Sequence, residues 1–258
     1  MATQHNIIGL RGTIGGLTFS RNGTVSAAPR RPTGPASPLQ AANRAEFRTA
    51  ARTGKLVRDA LRRLRGRTKT KGLSARLAAR VRELLVLDTT NPLGERWLLP
   101  QFASQLTGFA FNAGAALPAA LPAALRAARV NANIDISGKL ITLTVPELAA
   151  VADLRPPPAA THFDLFADLV YVDFPALFTG ARVGGFQQAI YSDPAPKQLG
   201  GTYHNLTITG TFIQAPQPGQ VLLVALGVEF LQALNGQFYK LYHGRSATPY
   251  EIIYTELS

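Results

Sequence analysis

The chain is 258 residues long, 46% hydrophobic and formally +12 at neutral pH, with no cysteine. That length and apolar content suffice for a substantial core in one large domain or two modest ones, while the lack of cysteine excludes disulfides, thiolate nucleophiles and Cys-ligated zinc or iron–sulfur centres. Residues 1–130 hold 21 Lys and Arg against 5 Asp and Glu, whereas residues 131–258 hold 6 against 10, so a half of net charge +16 is joined to a half of −4.

In chain order the first predicted element is a β-hairpin. Residues 13–19 and 24–26 flank Arg21-Asn22-Gly23, and Asn-Gly is the strongest short hairpin signal because both residues tolerate the positive φ of a type I′ turn. Two strands alone are marginal in water, so this hairpin needs a surface to dock on. The stretch from Ala27 to Pro38 is rich in proline and carries Arg30-Arg31, which suits an extended linker.

Ser37 as N-cap, Pro38 at the first helical position and Gln40 three residues after the cap start a helix whose natural stop is Gly66. Phe47, Ala50, Gly54, Val57, Leu61 and Leu64 alternate in spacings of 3 and 4. They form a narrow apolar seam in which Ala50 and Gly54 let another backbone come close. On a neighbouring face Arg44, Arg48, Arg52, Lys55 and Arg62 make a basic stripe, open to three readings: a solvated helix face, a phosphate-contacting surface or a dock for acidic protein. After a basic loop over residues 66–72, Leu73, Leu77, Val81 and Leu84 mark a second amphipathic helix, and the two form a helical hairpin. Asn91-Pro92 caps a third, shorter helix carrying Trp97, Leu98, Leu99 and Phe102. Pro118 and Pro122, within a Leu-Pro-Ala-Ala repeat, make residues 116–125 a connector.

The rest of the chain reads as β. Val130, Ala132, Ile134 and Ile136 alternate with polar residues, Ser137-Gly138 supplies a turn, and Ile141, Leu143 and Val145 resume the alternation. Further strands are expected at residues 162–173, 186–191, 203–213, 221–230, 237–242 and 250–255. The almost continuously apolar run from Val221 to Phe230 predicts a central strand buried on both faces, turned into its partner by Asn235-Gly236. Short strands with Pro/Gly-rich joints favour an antiparallel sandwich over a βαβ fold.

Catalytic and metal motifs are not recognisable. The histidines, at 5, 162, 204 and 243, lack metal-ligand spacing; His204 and His243 could meet across strands, but ordinary surface or core histidine suits them far better. Asp164 and Asp168 fall on one strand face and Asp173 on the other; a solvated acidic face, or a dock for the basic half, suits them better than a paired-carboxylate or Ca²⁺ site. There is no nucleophile elbow, and the glycines near 12–16 and 184–185 lack the lysine or following helix of a phosphate-binding loop. Nucleic-acid readout signatures are absent beside the charge, so any such binding is backbone-driven.

Two stretches carry a family resemblance. Residues 12–23, Gly-Thr-Ile-Gly-Gly-Leu-Thr-Phe-Ser-Arg-Asn-Gly, followed by proline and an Arg/Gln/Ala-rich helix, resemble the opening of a family of uncharacterised Bacteroidota proteins with a G-x-I-G-x-x-x-F-x-x-R-N-G hairpin, from which this chain departs by one residue of spacing. Val228 to Gln232 with Asn235 to Tyr239 is similar to that family's final hairpin. The resemblance implies a two-part architecture and carries no activity or catalytic residues.

The expected fold is therefore α+β: an N-terminal hairpin arm and linker (1–36), a basic helical region (37–112) and an antiparallel β-sandwich of immunoglobulin or jelly-roll kind (113–258). The expected role is non-enzymatic. The chain self-assembles into a filament, tube or virion-like polymer through its arm and its oppositely charged halves, with Ile14, Phe19, Arg21, Asn22 and Gly23 of the arm and Arg44, Arg48, Arg52, Gly54 and Arg62 of the first helix in the contacts. Its expected partners are its own copies, with non-specific nucleic-acid binding through the Arg-rich helices as the alternative and no cofactor, metal or small-molecule substrate. No signal peptide or run approaching ~20 apolar residues is visible, so the expected site of synthesis is the cytoplasm, with an extracellular or virion-like destination open.

Overall fold

The structure is a computed structural model that describes residues 2–3, 11–28, 34–61, 72–112, 133–134, 139–154, 156–177, 185–192, 195–241 and 250–257. The chain divides into two compact units, residues 1–41 and 42–258.

In the first unit, β1 (Ala2–Thr3), β2 (Gly12–Ile14), β3 (Leu17–Phe19) and β4 (Thr24–Ala27) form an antiparallel sheet of order β1-β4-β3-β2. The strand expected over residues 13–19 is broken, because Gly15 and Gly16 both take positive φ (57° and 80°) and reverse the chain. The turn after β3 is also not type I′. Gly23 N–H donates to Ser20 O, Ser20 N–H donates to Thr24 O, and only Gly23 has positive φ, at 80°. This is a three-residue loop, a type I turn closed by a left-handed glycine. The Asn22 side chain supports it from below, accepting from the Ser20 hydroxyl and the Thr24 N–H.

Helix α1 (Pro38–Ala60) opens with the expected capping box: Gln40 N–H donates to Ser37 Oγ, and Ser37 N–H donates to Gln40 Oε1, each at 3.3 Å. In the second unit α2 (Leu73–Leu85) runs back along α1, with Arg58 bonded to the Ser74 hydroxyl at one end and Gly54 against Ala78 further along. The third helix differs from expectation. Asp88 gathers the N–H groups of Thr90, Asn91 and Trp97, which holds residues 88–97 in a loop, and a 3₁₀ helix begins only at Pro100 and ends at Leu106.

The β region follows the predicted spacing. β5 (Asn133–Ile134), β6 (Leu140–Ala149), β9 (Ile190–Ser192) and β11 (Thr202–Thr211) make an outer sheet of order β5-β6-β11-β9. A short helix α3 (Ala150–Leu154) follows β6. β7 (His162–Val172), β8 (Phe186–Gln188), β10 (Lys197–Gln198), β12 (Val221–Leu234), β13 (Gln237–Lys240) and β14 (Tyr250–Leu257) make a central sheet of order β10-β7-β12-β13, with β8 on β7 and β14 on β12. The expected strand over residues 186–191 is thus shared between two sheets. Asn235 and Gly236 (φ 51° and 76°) form the two-residue turn from β12 to β13. The 116–125 connector and the Ser137-Gly138 turn lie outside the described residues.

All these pairings are antiparallel, and the fold is mixed α+β. The central sheet is buried on both faces, as the unbroken apolar run of β12 required. Val221, Leu223 and Ala225 with Phe166, Val170 and Val172 pack against Val57, Leu77 and Val81 of the helices. On the opposite face Leu222, Val224, Leu226 and Val228 with Leu165 and Leu169 share a cluster with Ile141, Leu143 and Ile208 of the outer sheet. Helices, central sheet and outer sheet are therefore three layers around two apolar interfaces.

Candidate assembly surfaces

The N-terminal sheet sorts its side chains by chemistry. The register sets Ile14 beside Leu17 and Ala27, and Phe19 beside Val25, so strand alternation puts these five on one face. Thr13, Thr18 and Ser26 fall on the other, where the Thr13 and Thr18 hydroxyls lie 3.1 Å apart. No side chain of residues 11–28 is buried, and Ile14 and Leu17 are 57% and 45% exposed. Among its described residues the unit has an apolar face and no buried side chain. Ile14 and Phe19, singled out from the sequence, belong to this face; Arg21, Asn22 and Gly23 form its turn. Leu17, Val25 and Ala27 join them only in the folded sheet: along one continuous strand Ile14 and Leu17 fall on opposite faces, and the Gly15-Gly16 reversal brings them to the same one, where the turn at Arg21 to Gly23 adds Val25 and Ala27.

On α1, Arg44, Arg48 and Arg52 are exposed and make no hydrogen bond or ion pair with a described residue, so the basic stripe is real as far as Lys55, which lies 3.9 Å from Asp59. Arg62 lies outside the described residues. Gly54 is buried in the chain's own helix pair: a Cβ there would stand 3.4 Å from the Ala78 backbone nitrogen. Ala50, Val57 and Leu61 of the same seam are buried, but Phe47 is 59% exposed. It overhangs a shallow groove of about 450 Å³ between the two helices, lined by Ala75, Ala78, Ala79, Arg82, Glu83 and Val86.

Three further arginines of the described residues are used internally. Arg76 donates to the carbonyls of Ala110 and Phe111 and lies over the Phe109 ring, 5.5 Å from its centroid. Arg80 donates to Gln105 O and pairs with Glu83, both at 2.8 Å. Arg96 approaches Glu46, which is buried and accepts from Gly94 N–H. These contacts join helix surfaces to loops.

The acidic residues are placed differently from expectation. Asp168 is fully buried and accepts a 2.6 Å hydrogen bond from the Tyr250 hydroxyl, so the predicted solvated acidic strand face is incorrect at this position. The reason is parity: Asp168 alternates with Phe166 and Val170 on the helix-facing side of β7. Asp173 caps the next turn through Ala176 N–H. Glu229 is buried and pairs with Lys240 at 3.0 Å, and Glu251 is buried too. In the described part of the second half, the fully exposed carboxylates are Glu147 and Glu256. His162 packs edge-on against Phe238, and His243 lies outside the described residues. Among the described residues no cluster of His, Asp and Glu has the geometry to hold a metal ion, and no helix is long and apolar enough to cross a membrane.

Comparison with known proteins assigns no family: no family model, curated protein or solved structure matches the chain.

Proposed function

We propose that this is a structural subunit that self-assembles, docking its N-terminal sheet on a neighbouring copy to build a filament, tube or shell. The observation that carries this reading is the apolar face of Ile14, Leu17, Phe19, Val25 and Ala27 in a sheet with no buried side chain of its own at residues 11–28. A small sheet needs a covered apolar face to persist in water, and about 25 cal/mol per Å² rewards covering it. The facing central and outer sheets are read as a sandwich backed by helices, a rigid body for such an arm to decorate. Arg44, Arg48 and Arg52 are then available to meet acidic positions such as Glu147 and Glu256 of another subunit. Removal of residues 1–36 should leave a folded protein of monomeric mass in light scattering, while the full chain is larger. A truncated protein that keeps the larger mass would falsify this reading.

Nucleic-acid binding is the second reading, and the observation favouring it is the solvent-facing stripe of Arg44, Arg48 and Arg52 with the exposed Phe47 ring among them, since cations contact phosphates and rings stack bases. Phosphate contacts release counterions, so log affinity for duplex DNA would fall by roughly 0.9 per phosphate with log salt. Exchange of the three arginines for glutamine should disrupt oligomers if the partner is protein. Loss of DNA binding with oligomers intact would reverse the ranking.

A further inference from the structure

At its paired positions the outer face of the outer sheet carries one acidic side chain, Glu147 opposite His204 near one end, and is otherwise lined by threonine and aliphatic residues. Thr142 and Thr144 on β6 stand opposite Thr209 and Thr207 on β11, and Thr211 sits between Leu140 of β6 and Ile190 of β9. Leu140 and Ile190 are 41% and 65% exposed. Solvated sheet faces are ordinarily polar and studded with charge. On a chain of net charge +12, a threonine and aliphatic face stands apart.

We propose that this face is the receptor for the apolar side of the N-terminal sheet of a second copy, packed sheet on sheet. The inference rests on the reading of that sheet as the assembly arm and names what the arm binds. Both surfaces are antiparallel sheets of four strands, and away from Glu147 both present uncharged side chains, the apolar five of the arm and the threonines with Leu140 and Ile190 of the receptor, so they interdigitate without burying an ion that lacks a partner. Charge disfavours the exposed apolar groove between α1 and α2. Residues 1–41 contain Arg11, Arg21, Arg30 and Arg31 and no acid, whereas the groove under Phe47 has Arg82 in its wall and Arg48 beside it. Arginine would meet arginine there. The outer sheet instead has the exposed carboxylate of Glu147 near one end of β6. Because arm and receptor are different surfaces, the contact is head-to-tail and propagates into a polymer or closes into a ring.

The lack of cysteine makes a clean test possible. Leu17→Cys and Thr209→Cys are introduced into separate full-length chains, one with a size tag, then mixed and treated with a short bis-maleimide. Facing sheets lie about 10 Å apart, beyond the roughly 7 Å Cα separation that a disulfide spans. The expected product is a tagged–untagged heterodimer, lost when Thr13→Cys, on the polar side of the arm, replaces Leu17→Cys. No heterodimer, or an equal yield from Thr13→Cys, overturns the proposal. So does a cross-link formed only within single chains carrying both cysteines, which would mean the sheet docks on its own molecule. Full-length Ile14→Asp/Leu17→Asp separates the two levels: if it falls to monomer mass while the cross-link fails, the arm reading stands and the receptor is elsewhere; if its mass is unchanged, both fall.

Discussion

Asp88 is fully buried yet held as a carboxylate. Burial pushes its pKa up, but the Asn91 side chain and the N–H groups of Asn91, Trp97 and Thr90 outweigh that and leave it below the ordinary 3.8. A depressed native pKa contributes stability that is complete above the unfolded value and is lost as pH falls through the native one. Asp88→Asn should therefore be less stable than the parent at neutral pH, and the gap in urea midpoint should narrow in acid. Tyr254 supplies the alkaline counterpart: burial, with a hydrogen bond donated to the Glu256 carboxylate and that carboxylate's negative charge, pushes its pKa up to about 12. Its contribution is complete below pH ~10 and disappears as pH rises through the native value, so tyrosinate absorbance should lag in the folded protein and Tyr254→Phe should remove that lag. Gly227 is constrained by shape. A Cβ there would come 2.3 Å from the Phe166 ring and 2.7 Å from Tyr250, two rings stacked at 5.6 Å across the sheet. Gly227→Ala should cost about 1–3 kcal/mol in chemical denaturation, as overpacking does; a smaller effect would mean the rings move freely.

Among the elements, β12 shows how much of the fold was legible. Eight apolar or small residues in succession, Val221 to Val228, with Asn235-Gly236 behind them were enough to place a strand buried on both sides, and the capping box of α1 was readable residue by residue. Leu223, with no exposed surface, is the test position: Leu223→Asp puts a carboxylate between helices and sheet and should prevent folding, since an unpaired charge there far exceeds the usual stability margin. Soluble, cooperatively unfolding variant protein would refute the placement. Other features were illegible for definite reasons. Gly15-Gly16 sits inside a run of strand-like residues that masks it, although a Gly-Gly pair is itself a two-residue hairpin signal and the pairing it makes, Ile14 with Leu17, is local. The helix expected at Trp97 is displaced by Asp88, whose side chain competes for the same N–H groups from nine residues away.

At the scale of the molecule, charge composition was the clearest signal and the least direct guide. A sum over each half treats every ion as if it faced solvent, but Arg76 and Arg80 bind loop carbonyls while Asp168, Glu229 and Glu251 are buried. Among the described residues the exposed electrostatics are accordingly narrower than the formal ones, with Arg44, Arg48 and Arg52 along α1 and Glu147 and Glu256 among the charges that face solvent. The candidate site was half visible. Ile14 and Phe19 could be picked out as strand residues, whereas the uncharged face formed by Thr142, Thr144, Thr207 and Thr209 exists only once β6 and β11 are in register.

The double-sided burial of the central sheet also sets an order of events during synthesis. Helices α1 and α2 are complete long before the ribosome reaches Val221, and their apolar sides, including Val57, Leu77 and Val81, cover residues of β12 and β14. At about 5–20 residues per second, the interval between the end of α2 and the start of β12 is on the order of 10 s or more. Until β7, and then β12 and β14, emerge to complete the layer, the nascent chain presents an incompletely covered helical surface beside a concentrated positive charge, a combination suited to holding by a chaperone.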